Sequence, residues 1–119
     1  MESYMSVVIF HNPRCSKSRQ TLQLLQENGV EPEVVEYLKT PPSKARLKQI
    51  LKMLGLKPRQ LMRRNEAEYK ELGLADESLS LEQLTDAMLA TPKLIERPIV
   101  INGDKAVIGR PPENVLDIL

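Results

Sequence analysis

Cysteine and histidine each occur once in this 119-residue chain, phenylalanine once and tryptophan never. A lone cysteine cannot close an internal disulfide, and one cysteine with one histidine cannot supply the ligands of a structural zinc site. No metal is therefore expected. An excess of one charge is also missing, since 17 Lys and Arg stand against 16 Asp and Glu, a formal net charge of +1. No overall field argues for nucleic acid or an anionic membrane as a partner, so any anion binding has to be local. The opening MESYMSVVIF has no basic start followed by a long apolar segment, and no apolar run elsewhere approaches a signal core or a membrane span. These absences predict a cytoplasmic protein. The length suits a single domain, 1–119, with a real core and no room for two.

What the chain does have is a concentrated stretch, HNPRCSKSRQTL at residues 11–22, in which His11 and Cys15 stand four positions apart. Val7 to Phe10 before it reads as a short buried strand, and Asn12-Pro13 as a loop. From Ser16 onward, Leu22, Leu24 and Leu25 recur at helical spacing until Asn28-Gly29, a natural C-terminal stop. Cys15 is thus predicted at a helix N-terminus. Glu33 to Leu38 reads as a second strand, giving a right-handed parallel βαβ unit.

After Thr40-Pro41-Pro42 the spacing becomes helical. Ser43 is placed to cap a helix carrying Leu47, Ile50, Leu51 and Leu54 and closed by Gly55. One or two short helices are expected between Leu61 and Leu72, and Ser80 with Gln83 forms a capping box for Leu81, Leu84 and Met88. Ile99-Val100-Ile101 and Ala106-Val107-Ile108 flank Asn102-Gly103-Asp104-Lys105, a strong hairpin signal. Pro112 then starts a final helix with Val115, Leu116 and Ile118. The order βαβ, helical block over about 43–95, ββα predicts the α/β class and a thioredoxin/glutaredoxin-like fold with helices inserted between its halves. Fold alone does not give function.

Unpaired N–H groups and the positive end of the helix dipole favour thiolate over thiol at a helix N-terminus, which makes Cys15 the candidate nucleophile. Ser18 is placed to donate its hydroxyl to the sulfur, and His11 to approach from the strand end as a cation or donor. Cys15-Ser16-Lys17-Ser18 is a CxxS, the monothiol counterpart of the redox CxxC, so an oxidised Cys15 needs a thiol from elsewhere. The sixth residue after Cys15 is Thr21, not arginine, which excludes the CxxxxxR loop of low-molecular-weight phosphatases. Arg97 precedes Pro98 and Arg110 precedes Pro111-Pro112, and proline restricts the residue before it to extended geometry. Guanidinium forks match tetrahedral oxyanions, so these arginines, with the Arg63-Arg64 pair, are candidates for binding a phosphate-like or arsenate-like anion.

With these pieces in order, the sequence resembles the glutaredoxin-dependent arsenate reductase (ArsC) family along nearly its whole length. HNPRCSKSRQTL, EYLKTPPS, LMRRNEAEYKELGL, LIERPIVI and IGRPPENVLDIL carry the resemblance. It implies that Cys15 attacks arsenate, that Arg63, Arg97 and Arg110 hold the oxyanion, that His11 and Ser18 tune the thiolate, and that Arg97-Pro98 is cis. It implies no bound cofactor, with glutathione as cosubstrate and glutaredoxin as protein partner. Two other readings stand beside it. One is a glutathione-linked thiol oxidoreductase of another substrate, suggested by Ser16-Lys17 where arsenate-active relatives commonly have Gly-Thr. The other is an RNA-polymerase-binding stress regulator of the same architecture, although such regulators sense oxidation through a CxxC that Ser18 interrupts.

Overall fold

A computed structural model describes residues 7–119. The first six residues of the N-terminal stretch read above for a leader lie outside the described residues. The chain divides into two compact units, one from the residues up to Thr40 together with Arg97–Leu119, the other Pro41–Glu96. The second of these units contains the helical block read from the sequence as about 43–95.

The first unit holds one sheet of four strands, β1 (Val7–Phe10), β2 (Glu33–Val35), β3 (Ile99–Asn102) and β4 (Lys105–Ile108), in the order β2-β1-β3-β4. β1 and β2 are parallel and joined through helix α1 (Ser16–Glu27), while β1–β3 and β3–β4 are antiparallel. This is the thioredoxin-like arrangement. β1 and β3 are the central strands and are apolar at almost every position, as strands covered on both faces must be. Val7, Ile9, Leu25, Val30, Val100, Val115 and Ile118 form the core between sheet, α1 and the C-terminal segment. Each such side chain contributes about 1.5–3 kcal/mol by leaving water.

Three local expectations change. β2 stops at Val35 because the Glu36 carbonyl accepts from both Lys39 and Thr40 N–H at 2.9 Å, turning the chain before Leu38. The hairpin loop is only Gly103-Asp104, since Asn102 pairs with Lys105 inside the ladder. Gly103 has φ +63° and, among the described residues, no non-glycine residue has positive φ, the pattern of a type II′ turn with glycine first. The closing segment Pro112–Ile118 is a 3-10 helix, with Val115 and Ile118 buried and Leu116 exposed.

The second unit is helical: α2 (Lys44–Leu54), a 3-10 turn at Pro58–Leu61, α3 (Ala67–Glu71), α4 (Leu81–Ala90) and a 3-10 turn at Pro92–Leu94. Ser43 caps α2 by accepting from Arg46 N–H, and the Ser80–Gln83 capping box starts α4. Leu47, Ile50, Leu61, Leu84, Met88 and Leu94 are its most buried side chains. Lys44 pairs with Glu82 and, at 2.9 Å, with Asp86, linking α2 to α4, though exposed pairs of this kind contribute little. An antiparallel bridge joins Met62 to Ile95. Among the described residues no helix is long and apolar enough to cross a membrane.

Nothing stands within 4 Å of a Cβ built on Gly103, so only backbone conformation opposes a side chain there. Gly103→Ala is expected to cost about 1–2 kcal/mol, the penalty of left-handed geometry, read from the midpoint of urea unfolding.

Candidate active site

Strand register decides which residues meet. Phe10 pairs with Ile99 and Ile99 with Ile108, so the exit of β1, the entry of β3 and the exit of β4 lie side by side. The segments continuing from that edge are His11–Cys15, Arg97-Pro98 and Gly109-Arg110. Both Arg97-Pro98 and Arg110-Pro111 are cis, the second without having been expected from the sequence.

The His11–Cys15 loop is short and internally bonded. His11 N–H donates to Val35 O at 2.8 Å, Arg14 N–H to Asn12 Oδ1 at 3.0 Å, and Cys15 N–H to Asn12 O at 3.0 Å. Cys15 is the N-cap of α1, which has no acidic residue in its first turn to offset the positive end of its dipole. Cys15 is 8% exposed. Burial pushes the thiol pKa up, but the Ser18 and Lys17 backbone N–H groups and the Arg97 guanidinium outweigh it and hold the pKa below its ordinary value. Arg110 Nη1 lies 3.9 Å from Cys15 Sγ and 3.4 Å from Arg97 O.

Ser18 and His11 differ from expectation in how they act. The Ser18 hydroxyl is engaged away from the sulfur: Asn12 N–H donates to Oγ at 3.0 Å, and Oγ lies 2.6 Å from His11 Nδ1. It is the Ser18 backbone N–H, not the hydroxyl, that favours the thiolate. Burial lowers the pKa of His11, Glu36 opposes this and Arg19 adds to it, so the ring favours its neutral form rather than a cation. A neutral ring can accept the Ser18 proton at Nδ1. Together they tie the loop to the first turn of α1.

Arg63 belongs to the helical unit, where Arg63 N–H donates to Leu94 O at 2.7 Å beside the Met62–Ile95 bridge. Its guanidinium meets Glu66 at 2.5 Å and Glu96 at 4.0 Å. Lys93 extends the cluster to Glu66 and Glu68. Arg64 is exposed.

A profile of the ArsC family matches residues 10–118. The chain belongs to the ArsC family. Among its relatives, Uncharacterized protein YfgD of Escherichia coli K12 is 63% identical over 114 residues, covering 95% of this chain and 96% of that one. The arsenate reductase of Haemophilus influenzae is 53% identical over 116 residues, 97% and 100% of the two chains. The solved arsenate reductase from Vibrio cholerae superposes with a TM-score of 0.94 at 55% identity, covering 97% of this chain and 98% of that one.

Four side chains that hold arginines or their backbone escaped sequence reasoning, Glu66 and Glu96 in the helical unit and Thr21 and Asn114 in the sheet-bearing unit. Glu66 had a signal, three residues after Arg63, a spacing at which opposite charges meet on short helical turns. Glu96, 33 positions from Arg63, had none. Thr21 and Asn114 bond to the backbone around Arg110, and their partners are set by long-range packing.

Two outcomes test this geometry. The midpoint of Cys15 alkylation against pH should fall below the ordinary thiol value of roughly 8.5. Arg97→Ala should raise it more than Ser18→Ala, which keeps the backbone N–H but should cost about 1–3 kcal/mol of stability by stranding Asn12 N–H and His11 Nδ1. Because folding lowers the His11 pKa, its contribution to stability is complete above the unfolded value of roughly 6.5 and is lost as pH falls through the folded value. His11→Gln should flatten that part of the stability profile, measured by urea unfolding at successive pH values.

Proposed function

We propose that the protein is an arsenate reductase that works through Cys15 alone, with glutathione and glutaredoxin as external reductants. The observation that supports this most is a guanidinium, Arg110, 3.9 Å from the sulfur of a thiol held below its ordinary pKa, in a chain of the ArsC family. A thiolate and an oxyanion repel one another, and positive charge beside both is what allows them to meet. Arg97 and Arg110 supply it with forked donors suited to tetrahedral oxygens. The family resemblance adds Arg63 as a third ligand, which its carboxylate partners Glu66 and Glu96 would then have to share.

In the proposed cycle the Cys15 thiolate attacks arsenic, a sulfur–arsenic bond forms, and one oxygen leaves as water after protonation. A glutathione thiolate then attacks the Cys15 sulfur. The sulfur–arsenic bond breaks with its electron pair passing to arsenic, arsenite departs, and Cys15 remains joined to glutathione as a mixed disulfide. A glutaredoxin thiolate removes the glutathione and restores the Cys15 thiolate. The two electrons come from outside because one cysteine cannot make an intramolecular disulfide. Ser18 and His11 tune the thiolate by holding the loop, since a hydroxyl cannot resolve a covalent sulfur adduct. This chemistry belongs in a reducing compartment, the cytoplasm.

The test measures arsenite release from wild type and Cys15→Ser, with and without glutathione and glutaredoxin. Release is expected only from wild type with both thiols present. Sustained release from Cys15→Ser, or from wild type without added thiol, would sink the mechanism, and reduction of simple disulfides without any response to arsenate would point to another substrate.

A further inference from the structure

Three consecutive backbone carbonyls run through the segment that carries Arg110, and each accepts a hydrogen bond from a side chain. Asn114 Nδ2 donates to Ile108 O at 3.1 Å and to Arg110 O at 3.2 Å, using both of its amide protons. Thr21 Oγ1 lies 3.2 Å from Gly109 O. Gly109 N–H donates to Pro98 O at 2.9 Å, which ties the same segment to the Arg97-Pro98 turn. Thr21 is fully buried in α1, two turns beyond the Cys15 cap, and its hydroxyl also faces Lys17 O at 2.8 Å. The hydroxyl has one proton for two carbonyls, one in the first turn of α1 and one in the arginine segment.

The fit is steric as well as polar. A Cβ on Gly109 would lie 2.7 Å from Thr21 Oγ1, 2.9 Å from Thr21 Cγ2 and 3.0 Å from Pro98 Cγ. The segment can approach α1 this closely only because residue 109 has no side chain. Its other anchors, Asn114 from the C-terminal 3-10 helix and Pro98 from the start of β3, close the remaining sides.

We infer that Thr21 and Asn114 are positioning residues that set the Arg110 guanidinium against the Cys15 sulfur, with Gly109 as the seat that lets them grip. Neither side chain touches the sulfur in any contact described; they act through the backbone on either side of Arg110. This rests on the reading that Arg110 serves an oxyanion beside Cys15. Displacing a guanidinium by even about 1 Å is enough to cost up to a hundredfold in a site of this kind.

The experiment compares Thr21→Val, Thr21→Ser, Asn114→Ala and Arg110→Ala, with Gly103→Ala as a variant destabilised at the distant hairpin turn. Two readouts are taken on the purified full chain, the pH midpoint of Cys15 alkylation and the affinity for inorganic phosphate by calorimetry. Thr21→Val and Asn114→Ala should raise the midpoint and weaken phosphate by about tenfold, with Thr21→Ser within about twofold of wild type and Gly103→Ala unchanged in both. The Thr21→Val effect should vanish when Arg110 is already Ala. If Thr21→Val and Asn114→Ala match Gly103→Ala in both readouts, or if Thr21→Ser behaves like Thr21→Val, the inference is overturned. If Arg110→Ala weakens phosphate while Thr21→Val does not, the oxyanion reading stands and the positioning role falls. If Arg110→Ala leaves phosphate unchanged while Thr21→Val still raises the midpoint in a way that depends on Arg110, the positioning role stands and the oxyanion reading falls.

Discussion

The pairing of Phe10 with Ile99 and of Ile99 with Ile108 is the constraint on which the rest of the site depends. A slip of one residue in either ladder would turn every side chain of that strand to the opposite face and carry its continuing segment out of line. Such a slip is opposed by the core, because Ile9, Val100 and their neighbours would leave an apolar interior for water. The same hydrophobic pattern that stabilises the sheet therefore sets the separation between a cysteine and an arginine 95 positions later in sequence.

Around the sulfur, opposing effects compete, and those that favour the thiolate outweigh burial. Burial disfavours a charged thiolate, and the protein answers with backbone N–H groups at the start of α1 and with arginine. The histidine beside it shifts in the direction burial dictates and becomes a neutral hydrogen-bonding partner. The difference between the two residues is access to compensation: Cys15 sits where an α-helix presents N–H donors that favour an anion, whereas a protonated His11 needs negative charge, and Glu36 does not offset its burial. In the helical unit, by contrast, the Arg63 guanidinium meets carboxylates, Glu66 and Glu96.

Much of this was legible in the sequence, and the reason differs by element. The cap and stop of α2 and the capping box of α4 are local chemistry, so Ser43, Gly55, Ser80 and Gln83 could be read directly. Cys15 at the N-terminus of α1 followed from Asn12-Pro13 and the leucine spacing. The premature end of β2 was hidden because Glu36 to Leu38 has the composition of a strand and the turn depends on which carbonyl Lys39 and Thr40 find. The Ser18 hydroxyl was assigned to the sulfur on proximity in sequence, whereas the folded loop offers it Asn12 and His11 at better geometry. Thr21, Asn114 and Glu96 were invisible because their partners come from distant parts of the chain, and only packing specifies such pairs.

The two-residue hairpin also fixes where the molecule can be observed without being disturbed. Val7 pairs with Asn102 while Phe10 pairs with Ile99, so the Gly103-Asp104 tip lies at the end of the sheet opposite the thiol, roughly 10 Å away along β1. The chain has no tryptophan. A single indole introduced at Asp104 would be the sole chromophore of its kind, remote from the reactive sulfur, and its emission would follow the integrity of the sheet independently of the chemical state of Cys15.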